Sequence, residues 1–175
     1  MRKILALTLV YAVLASVLPA TAQKKDQQAP PQSQSANTKL EAMLNTAQMP
    51  FNKMEDGTYV VVVSVDQNES ERFHMTLSYL GNDPNDERYQ IVQMYFLLGQ
   101  IAKGATFPPA LIKQMNQWNS QLTMGKVFAV SNVIIYGTSA WLAKSDADSL
   151  ALDATLGHYS SQDLRKEVAP YLKQQ

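Results

Sequence analysis

The chain has 175 residues, 15 basic side chains balanced by 15 acidic ones, and no cysteine. The balance excludes a nucleic-acid binder, which needs a basic face to replace phosphate counterions. The missing thiols exclude a disulfide framework and a cysteine-linked lipid anchor, so the fold must hold by one apolar core and a single domain is expected.

At the N-terminus, Arg2 and Lys3 precede an apolar run from Ile4 to Leu18, and Pro19-Ala20-Thr21-Ala22 supplies small residues in an A-x-A pattern. That is the three-part form of a secretory signal peptide, with cleavage expected after Ala22. A membrane anchor is the weaker reading, because the run is about 15 residues against the ~20 that span a bilayer. Residues 1–22 are therefore read as a signal peptide and the remainder as exported, to the periplasm or the medium, with no membrane insertion after cleavage. Losing Arg2 and Lys3 leaves that remainder near −2 in charge. Residues 23–36 are rich in Gln, Ser and Pro and hold no large apolar side chain. Such a stretch buries too little to offset the entropy of ordering it, so it is read as a disordered leader to a domain over residues 37–175.

Thr38 and Glu41 have the spacing of a capping box, and Leu40, Met43, Leu44 and Ala47 follow as one helical stripe that ends before Pro50. Asp56-Gly57 marks a turn. Thr58 to Val65 then reads as a strand whose continuous apolar run, Tyr59 to Val63, suits burial on both faces. After a polar loop from Asp66 to Glu71, Phe73, Met75, Leu77 and Tyr79 alternate with His74, Thr76 and Ser78, as in a strand with one wet face. Gly81 to Asp86 is a turn. Arg88 to Ile101 fits either a helix or a strand by spacing, and its Tyr, Phe, Ile and Val content with Gly99 inside favours a third strand.

Pro108 and Pro109 suit the first turn of a second helix carrying Leu111, Ile112, Met115, Trp118 and Leu122 on one stripe, with Gly125 ending it. Val127 to Tyr136 reads as a fourth strand, Gly137-Thr138 as a turn, and Ser139 to Ala143 as a fifth. Ser160 and Asp163 mark the start of a last helix bearing Leu164, Val168 and Leu172, with Pro170 disturbing its final turn. The fold class expected is α+β: a single antiparallel sheet of about five strands with helices packed on it, in the order α-βββ-α-ββ-α. No internal repeat is present.

The chemistry-bearing residues do not assemble into a known signature. His74 and His158 are the two histidines, one on the wet face of a strand and one in a loop before the last helix, and no H-x-x-x-H or HExxH spacing joins them to a metal. The acidic groups Asp83, Asp86, Glu87 and Asp146, Asp148, Asp153 lack the central glycine and terminal glutamate of a calcium loop and read as solvated turns. No G-x-S-x-G or S-x-x-K is present, and Gly99 and Gly104 are too isolated to cradle a phosphate. Asn68-Glu69-Ser70 has the form of a glycosylation acceptor. The methionines, Met43 and Met115 among them, and Trp118 are read as core fillers rather than as soft-metal ligands or a stacking platform. No catalytic, cofactor-binding or metal-binding residue is expected, and no cofactor.

The stretch Leu111-Ile-Lys-Gln-Met-Asn-Gln-Trp-Asn119 followed by Gly125-Lys-Val-Phe128 resembles the YbjN family of bacterial proteins, whose second helix carries a similar Leu-Asn-x-Trp-Asn core before a Gly-led strand. The likeness extends to Gly57 and Tyr59, to Phe73 and to the helix after Ser160, covering about Thr38 to Leu172. It implies a fold similar to the type III secretion chaperones and supports a strand at Arg88 to Ile101, while the stretch from Val133 to Ser139 departs from the family pattern. No catalytic residue is carried over. The function expected is a non-enzymatic, exported, chaperone-like module that binds a protein or peptide partner through a sheet face or edge and has the option of a homodimer. A small-ligand envelope protein and an enzyme with an unfamiliar site are the alternatives.

Overall fold

The computed structural model describes residues 34–65, 70–81 and 86–172. The signal peptide, most of the leader and Asn68 of the glycosylation triplet lie outside these residues, as do Asp83 and Asn85 of the first acidic turn.

Among the described residues the order is α1 (Gln34–Thr46), β1 (Phe51–Lys53), β2 (Tyr59–Ser64), β3 (Ser70–Tyr79), β4 (Gln90–Gln100), α2 (Pro109–Gln121), β5 (Lys126–Val130), β6 (Val133–Trp141) and α3 (Ala147–Leu172). The strands form one antiparallel sheet in the order β1-β2-β3-β4-β6-β5. The α+β class is as expected, with one strand more than read from sequence. The addition is β1, three residues that pair with Val61, Val60 and Tyr59 at one edge. Residues 88–101 are indeed mainly strand.

All three helices pack on the same face of the sheet. Tyr59, Val61, Phe73, Met75, Val92, Met94, Phe96, Ile134 and Tyr136 point into this layer from the strands and meet Leu40, Leu44, Leu111, Trp118, Leu150, Leu164 and Val168 from the helices. Phe96 stacks on Phe73 with centroids 4.8 Å apart. The apolar run in β2 is therefore not covered twice: Tyr59, Val61 and Val63 are buried, while Val60 and Val62 are only half-buried on the other face.

Four further readings are corrected. Helix α1 opens at Gln34 and buries Ala36, so the leader boundary falls earlier than residue 36. Thr38 is inside that helix, and the Glu41 carboxylate, instead of closing a capping box, accepts from Tyr59 Oη at 2.8 Å and from Lys53 Nζ at 2.9 Å. The last hairpin turns at Ser131-Asn132, where Ser131 takes a φ of 53°, and Gly137-Thr138 lies in mid-strand. Finally, α3 begins at Ala147. Asp146 and Ser149 cap it reciprocally, Ser149 N–H donating to Asp146 Oδ1 at 2.8 Å and Asp146 N–H to Ser149 Oγ at 2.9 Å. Ser160 and Asp163 are thus mid-helix. The misleading signal was the cap-like spacing of Ser160 and Asp163; within the same helix, Gly157 leaves room for the Phe96 ring.

Candidate functional site

The second face of the sheet is turned away from the helices. Register alone assembles it, since residues opposite one another across antiparallel strands share a face. One cross-strand row runs Val60, His74, Tyr95, Gly137, Lys126. A polar row of Thr76, Gln93 and Ser139 lies on one side of it, and an apolar row of Leu97, Ile135 and Phe128 on the other.

The apolar corner is a second core cluster in its own right. Tyr95, Val133 and Ile135 are buried, with Phe128 and Val130 packed on them. Tyr95 and Phe128 meet edge to face, with centroids 6.2 Å apart and planes at 87°. Gly137 permits this contact, because a Cβ there would stand 2.8 Å from Phe128 Cε1 and 3.3 Å from Tyr95 Cδ1. Tyr95 Oη donates to Gln93 Oε1 at 2.8 Å, and burial pushes the Tyr95 phenol up to about 12, so it stays a neutral donor. Beside the pair, the loop after α2 walls a groove of about 620 Å³ lined by Gln93, Tyr95, Met124, Lys126, Phe128 and Ser139. Leu97 and Trp141 on the same face are 43% and 41% exposed, more apolar surface than a solvated strand face normally shows.

The edges are less available than the face. Asn119 of α2 donates from Nδ2 to the Val127 carbonyl and accepts at Oδ1 from the Val127 N–H, both at 2.7 Å. Its amide therefore stands in for a neighbouring strand on β5, the terminal strand of the sheet. At the opposite end β1 is only three residues long and ends in Lys53. The Trp-Asn pair singled out in the sequence thus has two jobs: Trp118 is buried and donates to Glu167 at 2.5 Å, while Asn119 holds the strand.

His74 is not a solvated strand residue. It is half-buried between Val60 and Tyr95, and burial lowers its pKa, with Asp56 opposing the shift. His158 is not in a loop. It lies buried on α3 with Nδ1 2.6 Å from Glu71 Oε2. Ser161 Oγ is within hydrogen-bond reach of the same carboxylate oxygen at 3.2 Å and of the His158 carbonyl at 2.8 Å. Arg165 pairs with the other Glu71 oxygen and donates from Nε to the Leu97 carbonyl at 2.8 Å.

Sequence reasoning missed this cluster because Glu71 was read as loop, whereas it opens the inward alternation Glu71, Phe73, Met75, Leu77 of β3. The available signal was the spacing His158, Ser161, Arg165 on one helical face. The grouping is unsuited to nucleophilic catalysis: Ser161 is fully buried and faces a carboxylate, not an imidazole nitrogen. It serves to tie α3 to the sheet.

Asp146 is a helix cap, Asp148 lies in the first turn of α3, and Asp86 pairs with Arg88 at 2.8 Å. Burial raises the Asp153 pKa. Met43, Met75, Met94, Met115 and Trp118 are buried, whereas Met124 is exposed at the groove. Ile112, expected on the α2 core stripe, is 40% exposed. Among the described residues no three His, Asp or Glu side chains lie close enough to hold a metal, and no helix is long and apolar enough to cross a membrane. No protein-family model matches the chain, and no curated protein matches its sequence.

Proposed function

We propose that this is an exported, non-enzymatic binding module of YbjN type that receives a protein or peptide segment on the helix-free face of its sheet. The observation that carries the reading is the exposed Leu97 and Trp141, with half-buried Phe128 and Val130 standing on the small buried cluster of Tyr95, Val133 and Ile135, on a face where a two-layer fold ordinarily shows polar side chains. The Asn119 amide on β5 and the brevity of β1 argue for face over edge. The single antiparallel sheet with helices on it, in the order α-ββββ-α-ββ-α, is the kind of fold that the family resemblance implies. The signal-peptide pattern of residues 1–22 supports export. The titratable groups that the fold brings together at Glu71 are engaged with one another, which supports a binding role over catalysis.

The test is photocrosslinking in cells, with the probe amino acid at Phe128 or Leu97 and, as a control, at Lys113 on α2. Discrete adducts from the first two positions, absent from the control and, for the probe at Phe128, lost when the exposed substitution Leu97→Glu is added, are expected. Equal labelling from all three would refute a face-specific site. The groove at Tyr95 favours one second reading, a small amphipathic ligand, because its volume lies within the usual range for such sites. Native mass spectrometry of the purified protein, showing a retained small mass that Phe128→Asp releases, would select it.

A further inference from the structure

Helix α3 is apolar on two opposite sides. Leu150, Ala154, Gly157, Ser161, Leu164 and Val168 face the sheet and are buried. Leu152, Leu156 and Tyr159, spaced four and three residues apart on the far side, are 58%, 41% and 48% exposed. A helix on the outside of a two-layer fold needs only one apolar stripe, and one that carries two is built to be covered on both sides. This second stripe has the heptad-like spacing that receives another helix side by side.

We propose that the stripe is a homodimer interface in which α3 packs antiparallel against α3 of a second copy, with Leu156 beside the two-fold axis. Two features of the helix select a second copy in that orientation. First, the stripe is self-complementary: Leu152 and Tyr159 lie at nearly equal distances before and after Leu156 and on the same side of it, so the two-fold places Leu152 of one copy against Tyr159 of the other. Second, the charges match. Asp148 lies about 12 Å before Leu156 along the axis and Lys166 about 15 Å after it, at the same rotation about the helix. Asp148 is exposed, and the Lys166 side chain, paired with Asp163 of its own helix at 2.9 Å, is 75% exposed, so it can reach the second copy while keeping that pair. The antiparallel pair therefore sets Lys166 of each copy beside Asp148 of the other at both ends. A parallel pair sets Asp163 against Asp163 near the seam and leaves Asp148 of each copy at the opposite end from Lys166 of the other. Because α3 lies on the opposite layer from the helix-free sheet face, such a dimer leaves both sheet faces directed outward.

The absence of cysteine makes the geometry directly readable. The full-length gene product, purified as the cell processes it, is expected to dimerise in sedimentation velocity as its concentration is raised. Leu156→Asp is an exposed substitution that keeps the fold by circular dichroism, and it should raise the dissociation constant at least ~10-fold. On mild oxidation Leu156→Cys should give a covalent dimer. Leu152→Cys alone should not, whereas Leu152→Cys mixed with Tyr159→Cys should. A monomer at every concentration, a dimer indifferent to Leu156→Asp, or a crosslink from Leu152→Cys alone with none from Leu156→Cys would each overturn the proposal.

Discussion

Glu71 and His158, 87 positions apart in sequence, meet with their side-chain atoms 2.6 Å apart beneath the sheet. The carboxylate is almost fully buried and gathers His158, Ser161 and Arg165, all from α3. Removing one member of a buried charged group leaves the rest desolvated without compensation. Glu71→Ala is therefore expected to cost about 3 kcal/mol, the lower end for such a loss because the partly exposed Arg165 can turn to water. Urea unfolding checks this. A cost similar to that of an ordinary surface substitution would mean the cluster does not hold the helix.

Asn119→Ala removes both bonds to Val127 and uncovers the end of the sheet. The expected loss is about 1–2 kcal/mol, accompanied by increased light scattering on storage, since an unblocked strand edge recruits other strands. A variant that loses stability without associating would separate the two roles.

Gly157→Ala sets two effects against each other. Alanine in a helix interior is favoured over glycine by about 1 kcal/mol. The added Cβ, however, would stand 2.5 Å from Phe96, whose ring is fully buried and stacked on Phe73. Overpacking of this kind costs about 1–3 kcal/mol. Packing is expected to win, giving a lower melting temperature that Phe96→Leu in the same chain partly restores. A higher melting temperature for the single variant would show that the ring moves freely.

Burial lowers the His74 pKa from its ordinary value of 6.5. Below that value the unfolded chain binds the proton more readily than the folded one. Stability is therefore expected to fall as pH drops through 6.5 and to level off below the folded pKa. His74→Gln should remove that part of the acid-side decline, read as the urea midpoint across the range. Parallel wild-type and variant curves would assign the decline to other groups.

The class of fold and the strand at residues 90–100 were legible because alternation and helical stripes report a one-sided core. What stayed hidden has a common physical cause. Gly137 carries no local instruction to turn; it is small because Phe128 and Tyr95 pack where a Cβ would sit. Sequence shows the glycine and not the ring. Likewise Glu71 and His158 each look solvated until the chain brings them together, and Asn119, though part of the Trp-Asn pair, shows its role only when a strand is laid beside it. The row joining His74, Tyr95 and Gly137 depends on register, which the misplaced final turn obscured.

Strand β4 carries a bulge between Leu97 and Gly99, and the carbonyl of Leu97 is held by Arg165, which also grips Glu71. A bulge bends a sheet where it occurs. The bulged strand is thus held from behind, by a side chain of the helix layer. Substitutions along α3 can accordingly reshape the helix-free face while every residue exposed on it remains the same.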